Sequence, residues 1–224
     1  MENIIRFLIE AGKLKRIKRT GWVLRGVKNP ETIADHTFRM TLMAWVLGDR
    51  SGLNFNKILK IALIHDLCEV YAGDITPYSG LPSDKKIASK DVLAKIPRLS
   101  KSSKEKRIKE KHEKERASLK KVLINLPEST QNEIMSLWLD YENGATKEGR
   151  FVKQVDRVEN LLQALEYWEK DKNFPIEPWW VQLKELVDDP SLLIFLKSLD
   201  LHFQKEYNSA SQYGHSRIEP SKKK

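Results

Sequence analysis

Apolar residues return every three or four positions along most of the chain, and that period admits helices and little else. The stripe runs through Ile4, Ile5, Leu8 and Ile9, then through Phe38, Met40, Leu42, Met43, Val46 and Leu47, and then from Ile58 to Tyr71. A helix turns every ~3.6 residues, so this spacing gathers apolar side chains on one face, whereas a half-buried strand would alternate them. A further stripe of Phe151, Val152, Val155, Val158, Leu162 and Leu165 predicts a long helix over about 146–170. Helical patterns also run through Ile134, Leu137 and Trp138 and across 179–207. With no repeat and no strong strand run, the pattern predicts an all-α fold.

The breaks between stripes are equally informative. Thr32 is placed to cap the second helix, with Asp35 at its third position as a capping-box variant. Ala72-Gly73 predicts the end of the third helix, because glycine readily takes the left-handed conformation that closes one, and Pro77 forbids continuation. Pro97 and the serines of 100–103 interrupt a charged helical stretch, and Pro127, Pro175 and Pro178 mark later boundaries. At 224 residues the chain predicts one domain over 1–207 with peripheral helices, followed by a polar, basic, frayed tail over 208–224.

The formal charge of +9 raises the question of a nucleic-acid partner, but the excess is local. Residues 84–121 hold 15 Lys and Arg against 6 Asp and Glu, and the rest of the chain is formally neutral. Glu and Lys at close helical spacing make this run a solvated, charge-laced helix before a phosphate-backbone surface. The lone Cys68 rules out a disulfide within the chain and is read as a buried small hydrophobe. No run approaches the ~20 apolar residues of a membrane span, and the first residues lack the order of a signal peptide. A cytoplasmic protein is the expectation.

Within these helices sit groups that apolar patterns do not need. His65 and Asp66 interrupt the run IALIHDLCEV, where a carboxylate is costly to bury unless paired or bound to a cation. Glu69 follows four residues after His65, so a continuous helix would carry all three over one sector. His36 and Asp156 lie in apolar stripes of their own. Each has an ordinary structural explanation, a hydrogen-bonded core histidine or a paired aspartate; together, imidazoles and carboxylates suit a divalent transition metal with open positions for water and substrate.

The segments DHTFRM, ALIHDLCEVYAGDITP and FVKQVDRVENLLQALEYW resemble the H…HD…D signature of the HD-domain metallohydrolases. GWVLRGVKNPETIADH followed by HDLCEVYAGD narrows the resemblance to the 5′-deoxynucleotidase branch, over roughly residues 5–170. The resemblance implies an HD-domain helical bundle in which His36, His65, Asp66 and Asp156 hold a divalent cation, Co2+, Mn2+ or Mg2+ ahead of Ni2+, Fe2+ or Zn2+. It implies Glu69 and Asp74 as the catalytic acidic pair, which in some relatives also hold a second ion with the carbonyl corresponding to Ile75. Trp22 matches the aromatic residue near the nucleotide sugar, although a core tryptophan is the competing reading. Gly21 stands where the bacterial enzyme has an arginine, so a phosphate contact has to come from Arg25, Arg19 or Lys153, with Arg25 favoured because its spacing from Trp22 is kept.

The implied reaction is hydrolysis of a deoxyribonucleoside 5′-monophosphate by a homodimer. A cyclic nucleotide phosphodiesterase or nucleoside triphosphate hydrolase is the alternative within the superfamily. A nucleic-acid or partner-binding module using residues 84–121 is the alternative outside it.

Overall fold

The computed structural model describes residues 1–49, 52–76 and 101–211, with side chains placed over 1–49, 52–76 and 105–203. The described elements are helical: α1 (Glu2–Ala11), a 3-10 turn (Gly12–Arg16), α2 (Thr20–Val23), α3 (Ile33–Gly48), α4 (Phe55–Ile64), α5 (Glu69–Ala72), α6 (Lys101–Leu123), α7 (Glu128–Asn143), α8 (Lys147–Lys170), α9 (Glu177–Leu186) and α10 (Pro190–Ser211). A single antiparallel bridge, Lys18 to Thr32, is the β-type pairing among the described residues. Pro77, Pro97 and the first part of the basic run lie outside them. No described helix is long and apolar enough to cross a membrane.

Caps decide where the site-bearing helices start. Thr32 caps α3: its hydroxyl accepts from Asp35 N at 3.2 Å, and Asp35 Oδ2 accepts from Thr32 N at 2.8 Å. Such a reciprocal box contributes about 1 kcal/mol and sets the register of His36 one turn in. Thr146 caps α8 in the same way, accepting from Gly149 N at 3.2 Å, while Asp140 accepts from Thr146 N at 2.8 Å and pairs with Lys57 at 2.7 Å. Gly149 is required by this joint, since a Cβ there would lie 2.4 Å from Asp140 Oδ1.

Two predicted helices are broken in the structure. The stretch from Ile58 to Tyr71 does not stay helical: α4 stops at Ile64, and 65–68 tighten into turns in which Leu67 N reaches Ile64 O and Glu69 N reaches Asp66 O, both at 3.0 Å. Gly73 then closes α5 at φ 73°, as its position predicted. The pattern over 179–207 divides at 187–189, where Gln154 Oε1 accepts from Asp188 N and Asp189 N at 2.9 and 3.0 Å and Asp189 caps α10 ahead of Pro190. Helix α10 continues through Asn208, where a frayed tail was expected, to Ser211.

Two clusters form the core. The larger gathers Met40, Ile58, Ile61, Val152, Val155, Val158, Leu161 and Leu165 around α8, and includes Trp22, Tyr167, Phe174 and Trp179. The smaller packs Ile33, Leu67, Cys68 and Val70 against Leu119, Val122, Leu123 and Trp138. Helix α6 thus divides: residues 105–110 are mostly exposed, as the charge pattern predicts, and Ser118, Leu119, Val122 and Leu123 of its last turns are buried. His36 lies between Ile33 of one cluster and Met40 of the other, and His65 between Ala62 and Leu67, so the junction of the clusters is where the imidazoles meet.

Candidate metal centre and its acidic wall

The tightening after Ile64 gives the site its geometry. On a regular helix, neighbouring residues point about 100° apart. Here His65 Nε2 and Asp66 Oδ2 lie 3.1 Å apart and address one point. His65 Nδ1 stands 2.8 Å from Ala62 O, so the ring donates there and turns Nε2 inward.

His36 reaches the same point from α3. Its Nε2 stands 3.3 Å from His65 Nε2, 3.2 Å from Asp156 Oδ1 and 3.9 Å from Asp66 Oδ2. One atom each of His36, His65 and Asp156 fall within 4.8 Å of one another. Both imidazoles are buried. Other contacts tie these groups down: His36 Nδ1 to Glu159 Oε2, Asp156 Oδ2 to the Tyr141 hydroxyl at 2.9 Å, and the inward-facing Asp156 Oδ1 also to Asn160 Nδ2 at 3.0 Å. Glu159 is itself held by Arg39 Nε at 2.8 Å.

Electrostatics show what these residues require. Burial raises the cost of charge on Asp66 and Asp156, yet His65, His36 and Arg19 outweigh it and hold both carboxyls below the usual range. Burial and Arg19 push the His36 pKa down, but Glu159 and Asp156 prevail and lift it to about 10. An imidazole kept basic by converging carboxylates makes a buried demand for positive charge, and a mixed nitrogen and oxygen donor set of this kind fits a divalent cation.

Beside this cluster stands an acidic wall. Glu69, on α5, is 4% exposed, and its Oε2 is buried without a hydrogen-bond partner. Burial, with Asp66 and Asp74 nearby, pushes its carboxyl well above the ordinary range. Asp74 accepts from Thr20 N at 2.5 Å, and Thr20 Oγ1 donates to Asp74 O at 2.9 Å, so α2 fixes the segment after Gly73. Ile75 follows and lines a cavity shared with α6.

The residues considered for the phosphate part ways. Arg19 is the one brought to the cluster, with Nη1 3.1 Å from Asp66 Oδ2 and Nη2 2.7 Å from Asn160 Oδ1. Arg25 turns instead to Gly21 O at 2.9 Å and lies 4.5 Å over the Trp179 ring. Lys153 Nζ donates to Glu142 O at 2.7 Å, one layer behind Tyr141. Trp22 is 3% exposed; it stacks on Trp179 at 5.3 Å and donates to Glu31 Oε1 at 2.8 Å. Glu159, Asn160 and Tyr141 were not read from the sequence, although Glu159 and Asn160 stand three and four residues after Asp156, the spacing that shares a helix face.

Buried imidazoles and carboxylates converging from separate helices define a helical protein with a divalent-cation centre. The HD domain family model matches residues 11–185, and the chain belongs to that family. It is 37% identical over 165 residues to 5′-deoxynucleotidase HDDC2 of Mus musculus, spanning 74% of this chain and 70% of that one. With 5′-deoxynucleotidase HDDC2 of Danio rerio it shares 33% over 201 residues, 89% and 88% of the two chains. A solved structure of a conserved hypothetical protein from Pyrococcus furiosus superposes with TM-score 0.62 at 28% identity, covering 87% of this chain and 97% of that one.

Proposed function

We propose that the protein is a metal-dependent phosphomonoesterase that hydrolyses deoxyribonucleoside 5′-monophosphates to deoxynucleosides and phosphate. The observation that carries this reading is the meeting of His36, His65, Asp66 and Asp156 with Arg19 on one side and the unpartnered Glu69 on the other. The relatives named 5′-deoxynucleotidase supply the substrate class. Co2+, Mn2+ or Mg2+ is the cation we favour, held by His36, His65, Asp66 and Asp156. When bound, it would polarise the phosphoryl group and acidify a water. Glu69 Oε2, a buried acceptor, takes a proton from the attacking water, and Asp74, fixed by Thr20, orients that water or assists the leaving oxygen. Arg19 offers a guanidinium to the phosphate at the edge of the ligand set, which supports it over Arg25 and Lys153 for that role. The resemblance carries a homodimer into the proposal, checked by light scattering of the full chain.

Phosphate release from dAMP, AMP, dATP and a cyclic dinucleotide with added Co2+ or Mn2+ separates this reaction from the other hydrolases of the superfamily. The expected result is release from dAMP foremost, lost in Asp66→Ala and Glu69→Ala. Metal-dependent release from none of them sinks the proposal.

A further inference from the structure

Helix α1 buries none of its residues completely. Phe7 and Ala11 pack against the smaller core cluster, and Leu14 of the following 3-10 turn continues that inward line. Ile4, Ile5, Leu8 and Ile9 are instead 43%, 51%, 60% and 64% exposed. Successive helical residues point about 100° apart, so these four share one stripe, roughly a third of a turn from the inward line. A contiguous aliphatic stripe left open to solvent marks a surface that something else covers.

The charges around the stripe are lopsided. Glu2 pairs with Arg6 at 3.0 Å, and Glu10 pairs with Lys13 and accepts from the Tyr71 hydroxyl at 2.5 Å, so the acids of α1 are neutralised locally. Ala11 and Gly12 keep right-handed helical dihedrals, so the 3-10 turn prolongs α1 instead of bending away from it. At three residues per turn Leu14 falls on the inward line, as its burial shows, and Lys15 falls on the side of the stripe. Lys15, Arg16 and Lys18 are exposed and make no ion pair among the described residues. They are presented by anchored backbone: Ile33 N donates to Ile17 O at 2.9 Å, and Arg19 N donates to Glu31 O at 3.0 Å.

An aliphatic stripe continued by unpaired cations is the pattern that lies in the interface of an anionic bilayer, with the apolar face in the headgroup boundary and the cations on lipid phosphates. We propose that α1 and the turn after it form a docking surface for an anionic lipid membrane, in which Ile4, Ile5, Leu8 and Ile9 insert and Lys15, Arg16 and Lys18 hold the headgroups. Helix α3 shows the contrast that selects this occupant. Its own exposed stripe of Phe38, Leu42, Trp45 and Val46 shares its helix face with Asp35 and Asp49, whose charge repels an anionic surface. The stripe on α3 therefore suits a protein partner, and the stripe on α1 suits lipid. Such docking lies along the bilayer and is independent of the reaction at the metal centre.

The test is cosedimentation of the full chain with vesicles of phosphatidylcholine alone and of phosphatidylcholine mixed with phosphatidylserine. Binding is expected to the mixed vesicles and not to the neutral ones, and it weakens as salt rises. Leu8→Ser changes an exposed position and is expected to weaken binding about 10- to 100-fold, the scale of burying one leucine side chain. The triple variant Lys15→Gln, Arg16→Gln, Lys18→Gln is expected to weaken it about 100-fold, near fivefold for each cation. Melting temperatures of both variants stay at the wild-type value, which separates lost docking from lost folding. Mixed vesicles that leave the wild-type chain in solution, or that bind both variants as tightly as wild type, overturn the proposal. A loss confined to the charge variant overturns the insertion of the stripe. A dimer seen by light scattering that Leu8→Ser splits into monomers also overturns it, by making a second copy the occupant.

Discussion

On one side of the site, His36 leans on Glu159, Asp156 accepts from Tyr141 and Asn160, and Asp66 accepts from Arg19; on the other, Glu69 Oε2 is buried with no partner. The first side is preorganised, with side chains held so that their nitrogen and oxygen atoms converge. The second is left unsatisfied. A buried polar group without a partner costs free energy, so its persistence points to a group that is satisfied when something binds or reacts. On the reading proposed above, holding and reacting are divided between two sets of residues that meet at Asp66.

Breaking the holding side has the largest expected effect. Asp156→Ala removes an oxygen 3.2 Å from His36 Nε2 and the anchor of Tyr141 and Asn160. Stoichiometric divalent-cation binding, read by calorimetry, is expected to disappear. Phosphate release falls by about a thousandfold or more, the several kcal/mol that a bound cation contributes to a transition state. Retained stoichiometric binding would remove Asp156 from the ligand set.

Breaking the reacting side comes next and separates the two. Glu69→Gln is expected to keep the cation and lose about 10²- to 10⁴-fold in kcat, the contribution of a positioned acid or base. Loss of cation binding with the activity would move Glu69 to the holding side.

Much of this division was legible in the sequence. The proposed ligands stand out as His and Asp inside apolar stripes, and the Thr32 and Gly73 boundaries follow from local chemistry that the structure repeats. What periodicity could not show was the tightening at 65–68, because the apolar pattern there reads as one continuous helix and the break expresses tertiary pairing. The burial of Glu115 was hidden for another reason: inside a run of lysines and glutamates this residue looks like one more solvated charge, and only packing against α5 separates it from Glu113 or Glu110. Arg19 reaches Asp66 through a bridge between Lys18 and Thr32 that no local signal announces.

A smaller effect is expected one layer behind the ligands. Glu159→Gln keeps the shape beside His36 Nδ1 but exchanges a charged acceptor, also held by Arg39, for an amide. Cation affinity should fall about 10- to 100-fold, as for other outer partners of metal-ligating histidines. Unchanged affinity would show that His36 is oriented by packing alone.

The smallest effect is also the sharpest test of the contrast, because its sign differs between the two sides. In thermal melts without added metal, Asp156→Asn is expected to destabilise by about 1–3 kcal/mol, since the amide cannot satisfy Tyr141, Asn160 and His36 as the carboxylate does. Glu69→Gln is expected to stabilise, because it replaces a buried unpartnered carboxylate with a neutral group. Burial, with Asp66 and Asp74, raises the folded pKa of Glu69 above its unfolded value, so its charge costs stability at higher pH. The advantage of Glu69→Gln therefore shrinks as pH falls toward about 4.3, where the unfolded carboxyl also protonates. Melting shifts of the same sign for both variants would mean that Glu69 is as well partnered as Asp156, and that the two sides of the site are built alike.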